Sequence, residues 1–172
     1  IECDQKDVIN FLIEEGMSIH ERFLEPISKN EMLPIHFAVL SKSHKALQCL
    51  LSHDPALSQQ IDRKSQSPLH LAAKNNDVNA CRILLADHAK LNEVDYLGRL
   101  PIALSLNDTG YQTAAFLYTE MVKQGFKLPV LSTEKQKIIL NQIIKENDVN
   151  NVLMSAINKD DLIEPVRANT TP

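Results

Sequence analysis

The sequence lacks tryptophan and has only four glycines among its 172 residues, and aromatic residues make up 5% of it. Sheets favour aromatic side chains and their turns need glycine, so this composition argues against a β-sandwich, a β-barrel or a glycine-looped nucleotide fold. The three cysteines are an odd number without metal-ligand spacing, which does not suggest a disulfide framework. Because Cys49 and Cys81 fall on apolar helix faces, we expect buried free thiols, which suit a reducing compartment.

Long hydrophobic runs are also missing, and neither sign of charge dominates. No stretch approaches the roughly 20 apolar residues that would span a bilayer, and no segment has the pattern of a signal peptide. The net charge of −4, with acidic and basic residues mixed along the chain, gives no general attraction to nucleic acid. We therefore expect a cytoplasmic protein that neither binds nucleic acid nor inserts into a membrane.

What the sequence does contain is a repeated motif. Ser67-Pro68-Leu69-His70-Leu71-Ala72-Ala73 follows Leu33-Pro34-Ile35-His36-Phe37-Ala38-Val39 by 34 residues and precedes Leu100-Pro101-Ile102-Ala103-Leu104-Ser105-Leu106 by 33. A fixed period near 33 residues predicts stacked helical units rather than one closed core.

Each unit is predicted to hold two helices. A proline at 34, 68 or 101 suits the first turn of a first helix, the third of which we expect to run to about residue 106, and Ser67 can cap the second of these helices. Second helices are predicted over 44–52, from 78 and over 112–123. The apolar stripes expected in the core are Ile35, Ala38 and Val39; Leu47, Leu50 and Leu51; and Val78, Cys81, Leu84 and Leu85.

Both ends of the chain extend this pattern. Residues 7–16 resemble a second helix ended by Gly16, and the chain starts at Ile1, so we expect a fragment of a longer protein. Towards the other end, Thr133 and Gln136 have the spacing of a capping box, and an apolar face follows at Ile138, Ile139 and Ile143. We predict a partial N-terminal repeat over 1–27, three repeats over 28–61, 62–94 and 95–131, a degenerate capping repeat over 132–160 and a flexible tail over 161–172.

The motif from Ser67 to Ala73 resembles the ankyrin repeat, whose signature is Thr-Pro-Leu-His-x-Ala. The resemblance covers residues 7–125, or 7–159 with the cap, and it implies an all-α solenoid of stacked helix-turn-helix units that binds proteins and is not an enzyme. It also implies that His70 bonds to loop backbone and to the Ser67 hydroxyl. The third unit has Leu100 and Ala103 at those two positions, so we expect it to be the softest.

By the same resemblance, a partner protein is expected on the concave side, which loop tips and first helices form. Tyr96 and Leu97 are the strongest candidates for contact with the partner, because an aromatic residue and a leucine at a loop tip have no core to enter. The alternative is that they pack on the neighbouring loop. Lys29 and Asn30 are expected to be exposed on this side too. The predicted partner-binding residues are Met32, Arg63, Lys64, Gln66, Lys74, Asn75, Tyr96, Leu97, Arg99, Asn107 and Asp108.

Residue patterns that would indicate chemistry are missing. No His-x-x-x-His or Cys-x-x-Cys pair occurs, so we expect no catalytic residue, no metal site and no cofactor, and we assign His36 and His70 structural roles. We expect a module that is monomeric by itself. Two alternatives stay open: a structural spacer, or a substrate-recruiting or regulatory segment of a larger enzyme or secreted bacterial effector with its catalytic domain outside these residues. The effector alternative, which rests on richness in Asn, Ile and Lys, would place the chain in the host cytosol.

Overall fold

A computed structural model of the chain describes residues 18–24, 31–106, 111–126 and 132–145. A short hairpin of strands β1 and β2 precedes three pairs of helices, and a further helix closes the described part. The elements are β1 (Phe23–Leu24), β2 (Glu31–Met32), α1 (Pro34–Leu40), α2 (His44–His53), a 3₁₀ helix (Pro55–Gln59), α3 (Pro68–Lys74), α4 (Val78–Ala86), α5 (Pro101–Leu104), α6 (Gln112–Lys123) and α7 (Thr133–Lys145). The predicted all-α solenoid of helix pairs is confirmed.

The three first helices begin where the sequence predicts. Pro34, Pro68 and Pro101 each occupy the first helical turn, and the residue before each proline has extended backbone, as the proline ring requires. Helix α5 is shorter than predicted, because it ends at Leu104 rather than near residue 106. Its last turn tightens: the Ser105 hydroxyl donates to the Ile102 carbonyl at 2.7 Å, and the Ser105 amide donates to the same oxygen at 3.2 Å.

One continuous core joins the three helix pairs and contains most of the predicted stripe residues, although Val78 and Leu85 are only half-buried. First helices pack side by side in one layer (α1 on α3, α3 on α5), and second helices form the other layer (α2 on α4, α4 on α6). Among the buried members are Ile35, Ala38, Val39, Leu47, Leu50, Leu51, Leu69, Cys81, Leu84, Ile102, Leu117 and Met121. Helix α7 continues the stack, since Ile139 and Ile143 are buried against Ala114, Ala115 and Val122 of α6, whereas Ile138, expected on the same apolar face, is exposed.

Polar contacts also join the second-helix layer. The imidazole of His44, at the start of α2, lies 2.9 and 2.8 Å from the two carboxylate oxygens of Asp77. Asp77 is the N-cap residue of α4 and accepts the Ala80 amide at 3.0 Å, so one carboxylate caps its own helix and holds the neighbouring one. The buried Ser58 hydroxyl donates to the Asp87 carbonyl at 2.7 Å and forms a second link between the same two units.

The hairpin before α1 was not predicted. Phe23 pairs with Met32 and Leu24 with Glu31 in antiparallel register, so the strands lie on either side of the boundary expected between residues 27 and 28. The repeat boundaries themselves stay a prediction. The helix expected over 7–16, the second half of the cap up to residue 160 and the tail over 161–172 lie outside the described residues. Within the described ranges, no helix is long and apolar enough to cross a bilayer.

Candidate functional site

Two loops, each just before a first helix, have the same internal geometry. We call residues 62–66 the second finger, residues 95–99 the third finger, and the β1–β2 hairpin the first finger. In the third finger the Asp95 amide donates to the Arg99 carbonyl at 3.0 Å, and one Asp95 carboxylate oxygen accepts the amides of Leu97 and Arg99 at 2.9 and 3.0 Å. Gly98 takes the positive φ of 72° that the turn needs. The buried carboxylate therefore fixes the finger backbone.

The second finger repeats this arrangement with different residues. The Asp62 amide donates to the Gln66 carbonyl at 3.0 Å, and Asp62 Oδ1 accepts the amides of Lys64 and Gln66, both at 2.8 Å. Ser65 stands where the third finger has glycine and adopts a φ of 53°. The left-handed turn thus persists without glycine, at a cost in backbone energy that the aspartate hydrogen bonds offset.

Neighbouring fingers are bonded to one another. The Tyr96 amide donates to the Lys64 carbonyl at 3.1 Å, and the Gln66 side-chain amide donates to Asp95 Oδ2 at 3.4 Å. Arg63 of the second finger forms an ion pair with Glu31 of the first. The fingers therefore form a connected row, in which side chains at the tips have defined positions.

His70 connects the second unit to the third. The Ser67 amide donates to His70 Nδ1 at 3.2 Å, and the Ser67 hydroxyl lies 2.8 Å from the same nitrogen. Because Nδ1 accepts these bonds, the proton is on Nε2, which donates to the Arg99 carbonyl at 3.1 Å. Burial lowers the pKa of His70, since the protonated ring would lose its acceptor nitrogen and be desolvated. The structural role and the Ser67 contact predicted for this histidine are confirmed.

His36 connects the first unit to the second in the same way. Its Nδ1 accepts the Leu33 amide at 3.3 Å, and its Nε2 donates to the Gln66 carbonyl at 3.2 Å. Leucine at position 33 supplies no hydroxyl, so this bridge has one contact fewer than that of His70. Burial also lowers the pKa of His36. Both imidazoles are fully buried and have no surface from which to act on a ligand.

The structure exposes most of the predicted partner-binding residues that it describes. Tyr96 and Leu97 keep 59% and 58% of their surface exposed, so they do not pack away against the neighbouring loop. Arg63, Lys64 and Lys74 are exposed, whereas Asn75 and Arg99 are half-buried. Arg99 binds its own finger, because two of its guanidinium nitrogens donate to Asp95 Oδ2 at 3.0 and 2.7 Å.

Two predicted residues are not exposed, and the expectation for them was wrong. Met32 is 2% exposed, because it lies on β2 with its side chain turned into the protein. Gln66 is 5% exposed, because it lies between two fingers, where its side-chain amide reaches Asp95 and its carbonyl accepts from His36. Lys29, Asn30, Asn107 and Asp108 lie outside the described residues.

Several exposed apolar residues were missed, among them Leu24, Ile61 and Val94 near the unit boundaries and two residues of a first helix. Phe37 and Leu40 of α1 keep 47% and 36% of their surface exposed, on the side of the first-helix layer that faces away from the second helices. The signal was present in the sequence: with Ile35, Ala38 and Val39 directed into the core, residues 37 and 40 must share the opposite side of the helix. We call this side, together with the finger tips, the finger–helix surface; it comprises Phe37, Leu40, Arg63, Lys64, Lys74, Tyr96 and Leu97.

Catalytic or metal chemistry finds no support among the described side chains. No group of three His, Cys, Asp or Glu residues in residues 18–24, 31–106, 111–126 and 132–145 could hold a metal ion. Cys49 and Cys81 are buried free thiols, as predicted. Burial raises the pKa of Cys81 far above its ordinary value, which is the opposite of what a nucleophilic thiol needs.

A family model described as ankyrin repeats, in three copies, matches residues 1–95, more than half of the chain. The chain belongs to the ankyrin-repeat family. It is 30% identical over 96 residues to the putative ankyrin repeat protein FPV031 of fowlpox virus (strain NVSL), a match that covers 56% of this chain and 27% of that protein. It is also 27% identical over 88 residues to human Rabankyrin-5, covering 51% of this chain and 7% of that protein. The chain thus spans only a small part of the length of these relatives.

Proposed function

We propose that this chain binds another protein through the finger–helix surface. Ankyrin repeats are in general protein–protein interaction modules, and the third finger supplies the observation that supports this surface. Tyr96 and Leu97 are about three-fifths exposed at the tip of a loop whose backbone is fixed by the buried Asp95 carboxylate.

Rigid presentation favours binding, because a fixed loop loses little conformational entropy when a partner docks. Tyrosine is also among the residue types that carry most of the binding energy in protein interfaces. The bond between the Tyr96 amide and the Lys64 carbonyl fixes the third finger against the second. The tips of these two fingers therefore lie side by side, and a partner can contact both at once.

The proposal is tested by affinity capture with the double variant Tyr96→Ala/Arg63→Glu beside the parent chain, followed by quantitative mass spectrometry. We expect the variant to lose a defined set of bound proteins that the parent retains. Ile138→Ala is the matched control, since Ile138 is also exposed (38%) but lies on α7, away from this surface. Equal recovery of every protein by parent and double variant, with unchanged circular dichroism, would overturn the proposal.

We propose further that the module is monomeric, works in the cytoplasm and carries out no catalysis itself. The buried free thiols of Cys49 and Cys81 suit a reducing compartment. A second possibility, favoured by the much greater length of FPV031 and Rabankyrin-5, is that the module recruits a substrate or regulator for a larger enzyme or effector. The full-length open reading frame distinguishes the two, because the second possibility requires a catalytic domain beside these residues.

A further inference from the structure

The finger–helix side of the stack exposes positive charge and buries negative charge. The fingers, first helices and following turns, residues 31–43, 62–77 and 95–106, contain five Lys or Arg and four Asp or Glu, a formal charge of +1 in a chain of −4. Three of the four carboxylates are buried: Asp62, Asp77 and Asp95 are only 4%, 7% and 3% exposed. Asp62 accepts hydrogen bonds from finger amides, Asp77 caps a helix N-terminus, and Asp95 binds Arg99. All five cations are at least partly exposed. Arg63 is paired with Glu31 and Arg99 with Asp95, so the positive charge that a docking partner would meet comes mainly from the exposed lysines.

The charged and apolar parts of this surface follow the order of the units. The first unit presents Phe37 and Leu40, the second presents the cations Arg63, Lys64 and Lys74, and the third presents Tyr96 and Leu97. First helices packed side by side lie about 8–10 Å apart, so the first and third units are about 16–20 Å apart along the stack, and the two apolar zones are at least that far from each other. The pattern is apolar, cationic, apolar.

We propose that the partner contributes an extended acidic segment with a large apolar residue near each end. This inference rests on the proposed function and names the chemistry of its ligand. Acidic side chains would meet Lys64 and Lys74, while the apolar ends would cover Phe37 with Leu40 and Tyr96 with Leu97. An extended chain rises about 3.3 Å per residue, so a span of about 20 Å corresponds to apolar residues six or seven positions apart.

A polyanion such as RNA is the other ligand that exposed cations could attract. The structure favours the peptide for two reasons. Each apolar end holds one aromatic ring, Phe37 or Tyr96, beside an aliphatic side chain, Leu40 or Leu97, whereas nucleic acid binding calls for successive stacked rings among the cations. The chain as a whole also carries −4, which opposes the non-specific attraction on which nucleic acid binding depends.

The test uses fluorescein-labelled 12-residue peptides and anisotropy at physiological salt. The probe has two leucines seven positions apart with glutamates between them; one control replaces every glutamate by lysine, and a second replaces both leucines by serine. We expect the probe to bind the chain at least roughly tenfold more tightly than either control, because both the charges and the two anchors contribute. Equal affinity of the glutamate and lysine peptides would overturn the inference, and so would displacement of the probe by a single-stranded oligonucleotide at the same concentration.

Charge variants of the protein locate the binding site. Lys64→Glu/Lys74→Glu should weaken probe binding by roughly tenfold, whereas Lys135→Glu/Lys137→Glu on α7, with the same change in net charge, should alter it less than about twofold. Equal effects of the two pairs would show attraction by net charge alone and would overturn the assignment to this surface.

One apolar substitution completes the design. Leu97→Ala should weaken the glutamate probe and leave the serine control unchanged. If captured proteins depend on Tyr96 but bind through neutral or basic segments, the proposed function stands and only the acidic partner is overturned.

Discussion

Replacing His70 by alanine should destabilise the stack more than its position near the surface fingers suggests. The ring makes three polar contacts, with the Ser67 amide, the Ser67 hydroxyl and the Arg99 carbonyl. Each hydrogen bond contributes about 1 kcal/mol, and each buried group left without a partner costs about 1–3 kcal/mol. We therefore expect the free energy of unfolding to fall by about 3–5 kcal/mol. For a chain of this size that corresponds to a melting temperature roughly 6–20 °C lower.

The same substitution should change how stability depends on pH. Because burial lowers the pKa of His70 below its ordinary value of 6.5, the unfolded chain takes up this proton at a pH where the folded chain does not. Stability supplied by the neutral ring is thus present above pH 6.5 and is lost as the pH falls below it. His36 behaves in the same sense, so His70→Ala should remove part of the loss between pH 7 and 5, and His36→Ala/His70→Ala should remove more.

Thermal and urea unfolding, followed by circular dichroism at pH 7.5, 6.5 and 5.5, measure both effects. His20→Ala is the control, since His20 contributes an exposed imidazole and should change stability by less than about 0.5 kcal/mol. In the double-mutant cycle with Ser67→Ala, we expect the double variant to lose less stability than the sum of the two single variants, because the hydroxyl touches the ring and either substitution alone removes that contact. A His70→Ala melting curve that shifts no more than that of His20→Ala, with the same pH dependence as the parent, would refute the assignment of the bridge.

Three further substitutions test other parts of the structure. Leu84→Ala should cost about 2–5 kcal/mol in urea unfolding, because the side chain is completely buried in the main core, and an unchanged midpoint would contradict that packing. His88→Gly should raise stability by about 0.5–1 kcal/mol, since His88 holds a φ of 64° just after α4, and a lower melting temperature would show that the imidazole contributes more than the strain costs. Burial alone would raise the pKa of Asp95, but hydrogen bonds from Arg99 and Leu97 outweigh it and hold this pKa well below its ordinary value. Asp95→Asn should therefore cost about 2–4 kcal/mol at pH 7 and flatten the acid limb of the stability profile below about pH 4, which an unaltered limb would contradict.

The sequence predicted the stack well because its local signals coincide. A proline in the first helical turn marks each first helix, and stripes such as Leu47, Leu50 and Leu51 mark the buried side of a second helix. These features act within one turn of helix, so they can be read without knowing the neighbours. The left-handed turn at Ser65 is different, because serine gives no conformational signal of its own.

Positions that depend on contacts between units were less predictable. Gln66 is a polar residue in a loop, which suggests exposure, yet it is buried because both its side chain and its carbonyl bond to residues about 30 positions away. Met32 was placed at a loop tip because the hairpin with Phe23 has no counterpart in the other two fingers. Helix α5 ends early through the hydroxyl of Ser105, a side-chain contact that competes with the next turn. Contacts between units and departures from the repeat determine the burial of such residues, and the 33-residue repeat period does not reveal them.

The imidazole bridges set the order in which the units can complete their folding during synthesis. His36 and His70 donate to carbonyls 30 and 29 residues further along the chain, so neither ring can complete its bonds until the following finger has left the ribosome. Chains fold from the N-terminal end during synthesis, and each unit should therefore settle one unit late. The third unit has Ala103 at this position, so it leaves no buried ring waiting for an acceptor downstream. A chain cut after residue 94 would leave buried His70 without its Arg99 acceptor, whereas a chain cut after the third unit would keep the acceptors of both His36 and His70.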